Sequence, residues 1–156
     1  MKIYLSGPLF TQVERRWNRR LANALEEQIP DTEVLLPQDI KFGGAYNKPE
    51  HYQHIYDRCL EMVEEADLMV AVLDGADVDS GTAFEMGYAR ARELPIIGVR
   101  TDYRKSQDRG LNIMLARGCD ELLREMSFSE DTEQLARDLV GKIVAALRRM
   151  DDQPGS

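Results

Sequence analysis

The sequence predicts an α/β protein, a single doubly wound domain whose open parallel sheet has about five strands in flavodoxin-like order, flanked by helices. Three observations predict it. Short apolar runs alternate with longer amphipathic stretches, the pattern of repeated βαβ units. The run "DLMVAVL" (67–73) reads as a buried strand that stops abruptly in a small, acidic, glycine-bearing loop before the next helix. Finally, 156 residues at 43% hydrophobic content suit one ordinary core, with no sign of a second domain or internal repeat.

The elements follow in order. "KIYLSG" (2–7) is a first strand ending at Gly7-Pro8. From 11 to 28, Val13, Trp17, Leu21, Ala24 and Leu25 recur at helical spacing and are expected inward. "TEVLLP" (32–37) is a second strand closed by Pro37, followed by the polar loop "QDIKFGGAYNKPE". "HYQHIYDRCLEMVEEA" is a helix with Ile55, Cys59, Met62 and Val63 inward. After the 67–73 strand come a helix from about 81 to 92 and the strand "LPIIGVR" (94–100). "LNIMLARG" is a short helical turn ended by Gly118, and a weak fifth strand is expected near 119–125. Leu135, Leu139, Ile143, Val144 and Leu147 mark a last helix over 130–149, so that 1–149 form the domain and 150–156 a flexible tail.

Composition excludes several functions. A net charge of −8 opposes a nucleic-acid surface, which needs clustered Lys and Arg. Cys59 and Cys119 lack metal-ligand spacing, and His51 and His54 are the only histidines, so a zinc site is not expected. No apolar run approaches the roughly 20 residues needed to span a bilayer. The opening strand leaves no room for a signal peptide, and a soluble, cytoplasmic protein with reduced thiols is expected.

In doubly wound sheets ligands bind beyond the carboxyl ends of the strands, near the switch point. The loops after Leu5, Leu36, Leu73 and Val99 are therefore expected to converge on one cleft. The most unusual is "VLDGADVDSGTAFEMGYA" (72–89), which crowds Asp74, Asp77, Asp79 and Glu85 together. Local rules explain part of it: Thr82-Ala83-Phe84-Glu85 fits a capping box with Glu85 reaching back, and Asp79 and Ser80 are equally good N-caps. Asp74 and Asp77 are needed for no cap, and such a cluster is costly unless it faces a ligand or water. A carboxylate near the positive end of a helix is favoured in its ionised form, which suits a nucleophile. Glu85→Gln separates the readings: a cap residue loses about 1 kcal/mol of stability and nothing else, a nucleophile loses the activity.

Taken together, "IYLSGPLF", "ADLMVAVLDGADVDSGTAFEMGYARA", "PIIGVRTDYR" and "LNIML" resemble the nucleoside 2-deoxyribosyltransferases, in order and spacing, from about residue 2 to about 118. The resemblance implies transfer of 2′-deoxyribose between nucleobases through a covalent glutamyl ester with retention of configuration, a mechanism that needs no metal or organic cofactor. It makes Glu85 the nucleophile, Asp79 the residue holding sugar and nucleophile in register, and Tyr4 the hydrogen-bond donor to the nucleophile. It places Gly7, Leu9 and Phe10 in the base pocket, Gln38 on the base, and Gly81, with Asp79, at the approach to the sugar; Asp74, which ends the central strand, is a further candidate substrate-binding residue. Read alone, Phe10 is equally a core residue and Tyr4 a half-buried strand residue. Asn112 and Met114 match a pair supplied by a neighbouring subunit, which implies a homodimer or higher homo-oligomer acting on a small 2′-deoxynucleoside and a free base. The chain departs from the pattern at Cys59, where many members carry an aspartate facing the departing base; a thiol is a poor proton donor there. Asp57 and Glu61 lie nearby on other faces of the helix.

Two alternatives stand. One is a nucleoside or nucleoside 5′-monophosphate N-glycosidase, although "SGPLFTQ" offers no Arg for a phosphate before Arg15. Arg100, Arg104 and Arg109 could reach a phosphate from another side. The other is a non-catalytic nucleotide-binding or interaction module on the same sheet.

Overall fold

A computed structural model describes residues 1–41, 48–104 and 111–152. Five strands, β1 (Lys2–Ser6), β2 (Glu33–Leu35), β3 (Leu68–Val72), β4 (Ile96–Arg100) and β5 (Glu121–Arg124), form one parallel sheet in the order β2-β1-β3-β4-β5. This is the doubly wound arrangement the alternating pattern predicts, with the reversal of strand order between β1 and β3. All five residues of both β3 and β4 are buried, as a parallel sheet covered on both faces requires.

The helices are α1 (Gln12–Gln28), α2 (Pro49–Glu65), α3 (Ser80–Ala91), α4 (Ile113–Gly118) and α5 (Thr132–Asp151). α1 begins with a capping box: Thr11 Oγ1 accepts from Glu14 N at 3.2 Å, and the Glu14 carboxylate accepts from Thr11 N at 2.7 Å. Leu21 and Leu25 of α1 and Leu139 and Ile143 of α5 pack with Ile3, Leu5, Val70 and Val72 on one face of the sheet. Met62 and Val63 of α2 and Met86 and Ala89 of α3 pack with Tyr4, Met69, Ala71 and Leu73 on the other, with Leu115 and Ala116 of α4 at its margin. Because strand side chains alternate, Ser6 shares the side of Tyr4 and faces α2 and α3.

Some expectations need correction. β2 is only three residues long, because Pro37 opens a 3₁₀ turn (Pro37–Asp39) instead of closing a longer strand. Val13, expected inward, is 78% exposed and lies in the first turn of α1. In α5 the buried stripe is Ala136, Leu139, Val140, Ile143 and Ala146, while Leu135, Val144 and Leu147 flank it half-buried. That helix runs to Asp151, and residues 153–156 of the expected tail lie outside the described residues.

One contact limits how the second face can be filled. A Cβ on Gly98 of β4 would stand 2.6 Å from Cys119 Sγ and 2.8 Å from Leu73 Cδ1, far inside van der Waals distance. Gly98→Ala should therefore destabilise by about 1–3 kcal/mol through overpacking. Adding Cys119→Ala should return part of that loss. Urea denaturation midpoints of the two variants check both statements.

Candidate active site

The cleft grows from the loops that leave the carboxyl ends of β1, β3 and β4. Helix α1 holds the first of them: Asn18 Nδ2 donates to Pro8 O at 2.9 Å, and Arg15 Nη1 donates to Leu9 O at 2.7 Å and Phe10 O at 3.0 Å. The backbone carbonyl of Arg15 in turn accepts from Gln38 Nε2 at 3.1 Å, which ties the 3₁₀ turn after β2 to the same helix. Phe10 is 69% exposed, so the core alternative for it is wrong: the clamped loop turns this ring outward. Gly7 and Leu9 are half-buried beside it.

The loops after β3 and β4 brace each other. Asp74 Oδ1 accepts from Thr101 N at 2.6 Å and Asp102 N at 2.9 Å, while its Oδ2 accepts from Thr101 Oγ1 at 2.6 Å. Arg100, 1% exposed, donates to Leu73 O and to Gly75 O, and Gly75 N donates to Asp102 Oδ2 at 3.1 Å. Arg104 also pairs with Asp102 and, with these amides, holds its carboxyl well below the usual carboxylate range. Arg100 is thus spent on backbone carbonyls and cannot meet a phosphate, contrary to that expectation. Arg109 lies outside the described residues.

The expected capping box at Thr82–Glu85 does not form. Asp79 is the N-cap: its Oδ2 accepts from Thr82 N at 2.9 Å and Thr82 Oγ1 at 3.3 Å. A Cβ on Gly81 would stand 3.0 Å from that same oxygen. With the helix starting three residues earlier than the box requires, Glu85 falls in the second turn of α3, beyond reach of the cap, and points to β1. Its Oε2 accepts from Ser6 Oγ at 2.5 Å. Sequence reasoning passed over Ser6, Arg15 and Asn18 as site residues. A hydrogen bond spanning 79 residues leaves no local signal for Ser6.

Tyr4 is fully buried on the same side, and its hydroxyl has no partner in hydrogen-bond geometry. Burial, then the nearby Glu85 charge, push its pKa far above the ordinary phenol value. Cys59 of α2 completes the group; burial first, and Glu85 second, push its thiol up to about 11, so it stays protonated at neutral pH. Burial raises the Glu85 carboxyl above the ordinary glutamate range and the Asp79 charge adds to the rise, while Ser6, Tyr4 and Cys59 pull it back. A pocket of about 350 Å³ opens beside this carboxylate, walled by Tyr52, Ile55, Tyr56, Cys59 and Phe84. The structure therefore brings Glu85, Cys59 and Gly81 together around one apolar cavity, with Tyr4 buried behind the carboxylate and Asp79 at the helix start. Asn112 and Met114 stand apart: Asn112 Oδ1 caps α4 by accepting from Met114 N at 2.9 Å, and Met114 is 77% exposed.

A family model for nucleoside 2-deoxyribosyltransferase matches residues 3–116, most of the chain and all of the elements that build the cleft. The chain belongs to the nucleoside 2-deoxyribosyltransferase family. That family acts on nucleosides and nucleobases. Among relatives, Uncharacterized protein UU063 of Ureaplasma parvum serovar 3 is 29% identical over 121 residues, covering 70% of this chain and 75% of that one. A conserved protein from Enterococcus faecalis V583 has a solved structure of TM-score 0.70 and 26% identity, covering 94% of this chain and 98% of its own. The 2-deoxyribosyltransferase of Bacillus psychrosaccharolyticus shares the fold at TM-score 0.64 and 19% identity, covering 87% and 90% of the two chains. Among the described residues of this family member, no helix is long and apolar enough to cross a membrane.

The double position of Asp79, as cap and neighbour of Glu85, can be separated by substitution. Asp79→Ala should cost about 1 kcal/mol in urea denaturation, whereas Asp79→Asn, an equally good N-cap, should cost only a few tenths. Equal losses would contradict the assignment of the cap to the side-chain oxygen.

Proposed function

We propose that the protein transfers 2′-deoxyribose from a 2′-deoxynucleoside to a free nucleobase, with Glu85 as the nucleophile. The observation that carries this reading is a half-buried carboxylate, released from any capping role, beside an apolar pocket at the switch point of the sheet. Glu85 attacks C1′ and the C1′–N bond breaks, leaving a glutamyl ester; a second base then attacks C1′ from the face the first one left, so configuration is retained. Tyr4, whose free hydroxyl stands beside the carboxylate, donates to it as the complex tightens. Asp79 keeps sugar and nucleophile in register, Gly81 shapes the approach to the sugar, and Gly7, Leu9, Phe10 and Gln38 border the base; Asp74, its oxygens taken up by Thr101 and Asp102, braces the loops. Cys59 lines the base pocket as a neutral thiol, so the departing base takes its proton from water. An uncharged nucleoside suits this cleft better than a monophosphate, since Arg100 and Arg104 are both engaged within it.

A homo-oligomer completes the site in this reading. Tyr52, Tyr56 and Phe84 at the pocket and Ile113 and Met114 on α4 are exposed apolar side chains, and a second copy would cover them and bring Asn112 to the sugar 5′-hydroxyl.

Glu85→Gln should abolish base exchange between a deoxynucleoside and a free base, followed by chromatography. It should not unfold the protein. Because the folded pKa of Glu85 is raised, the native state keeps this proton at pH values where the unfolded chain has lost it, and stability falls as pH rises through that window. Gln escapes this cost, so the thermal midpoint at pH 7 should be unchanged or higher. In wild type, release of deoxyribose without exchange would make the protein a hydrolase, and no turnover of nucleosides or monophosphates would contradict both readings.

The contribution of Asn112 has its own test. Glu85→Gln and Asn112→Ala chains are each expected to be inactive, yet co-refolding them in equal amounts should restore roughly a quarter of wild-type exchange, because half of the dimers then hold one intact site. No recovery would place Asn112 in the site of its own chain.

A further inference from the structure

Ser6 lies at the carboxyl end of β1, paired in register with Ala71 of β3, and is fully buried. Its hydroxyl donates at 2.5 Å to one oxygen of Glu85, Oε2. The groups that face this carboxylate are Tyr4 from β1, Cys59 from α2 and Asp79 at the start of α3, and no cation is among those acting on it most strongly. The charge of Glu85 is therefore held by neutral donors, and Ser6 alone among the described residues does so in hydrogen-bond geometry.

We propose that Ser6 is a positioning residue that selects which oxygen of Glu85 reacts and keeps that carboxylate ionised in its half-buried, apolar surroundings. The inference rests on Glu85 being the nucleophile. With Oε2 held by Ser6, Oε1 is the oxygen that bonds to C1′ while the C1′–N pair leaves with the first base, which takes a proton from water. Oε2 then becomes the carbonyl oxygen of the ester, a weaker acceptor. When the incoming base uses its nitrogen lone pair on C1′, the C1′–Oε1 pair returns to the carboxylate and the base loses its proton to water. The Ser6 bond strengthens again as charge returns to Oε2. Ser6 keeps its own proton throughout, so its effect is on charge and geometry.

The test compares pH profiles of kcat/KM for base exchange in wild type, Ser6→Ala, Ser6→Thr and Glu85→Gln. Wild type should lose activity as pH falls through the raised pKa of Glu85. In Ser6→Ala that acid limb should move to higher pH, with a loss of about tenfold at pH 6 that shrinks to a few-fold at pH 8, the scale of one hydrogen bond to a charged group. Ser6→Thr, which keeps the hydroxyl, should restore the wild-type limb. A carbon-13 NMR titration of the Glu85 carboxyl, identified by its absence in Glu85→Gln, reads the same shift without turnover. An acid limb and carboxyl titration that stay in place in Ser6→Ala overturn the role of Ser6 while leaving Glu85 as nucleophile. A Glu85→Gln variant that keeps its exchange activity overturns both.

Discussion

The site depends on one half-buried carboxylate facing the end of a strand. Taking Glu85 out of water disfavours its charge, and the Asp79 carboxylate adds to the cost. The hydroxyl of Ser6 offsets part of it through a short hydrogen bond, and the buried hydroxyl of Tyr4 stands near with its donor uncommitted. Such a carboxylate is poorly solvated and held in one orientation, the condition under which a weak nucleophile becomes useful. The apolar walls supplied by α2 and α3 keep it so.

Around that carboxylate, the loops are fixed from both sides. Asn18 and Arg15 fasten the carbonyls of Pro8, Leu9 and Phe10, and the exchange between Asp74, Arg100, Thr101 and Asp102 fastens the exit of β3 to that of β4. Apart from the neutral amide of Asn18, these bonds are charge-assisted, and most of them end on loop backbone groups, which they supply with partners. The two cations at the end of β4 are engaged in this bracing.

Much of the fold was legible in the sequence, because continuous apolar runs and 3.6-residue periodicity report burial directly. All five strands and their order follow from them, and the spacing of Asp79, Gly81 and Glu85 marks the family. What local pattern could not settle was choice among equals. Asp79, Ser80 and Thr82 are all competent caps, and only packing of α3 on the sheet decides that Asp79 takes the position and Glu85 is freed. Ser6 was illegible for a different reason, since its partner lies on another element, and Asp74 looked like a ligand-facing acid because its three donors follow 27 or 28 residues later. Val13 shows the limit of periodicity, which gives the face of a helix but not how far along that face burial extends.

The central claim is that the Glu85 carboxylate forms a bond to the sugar. Rapid acid quenching of the protein with excess deoxynucleoside and no acceptor base, followed by peptide mass mapping, tests it most directly. The account predicts one deoxyribosyl group on the peptide containing Glu85, with an equal amount of free base released and no adduct in Glu85→Gln. Base release with no adduct, or an adduct on Asp74, Asp77 or Asp79, would contradict it.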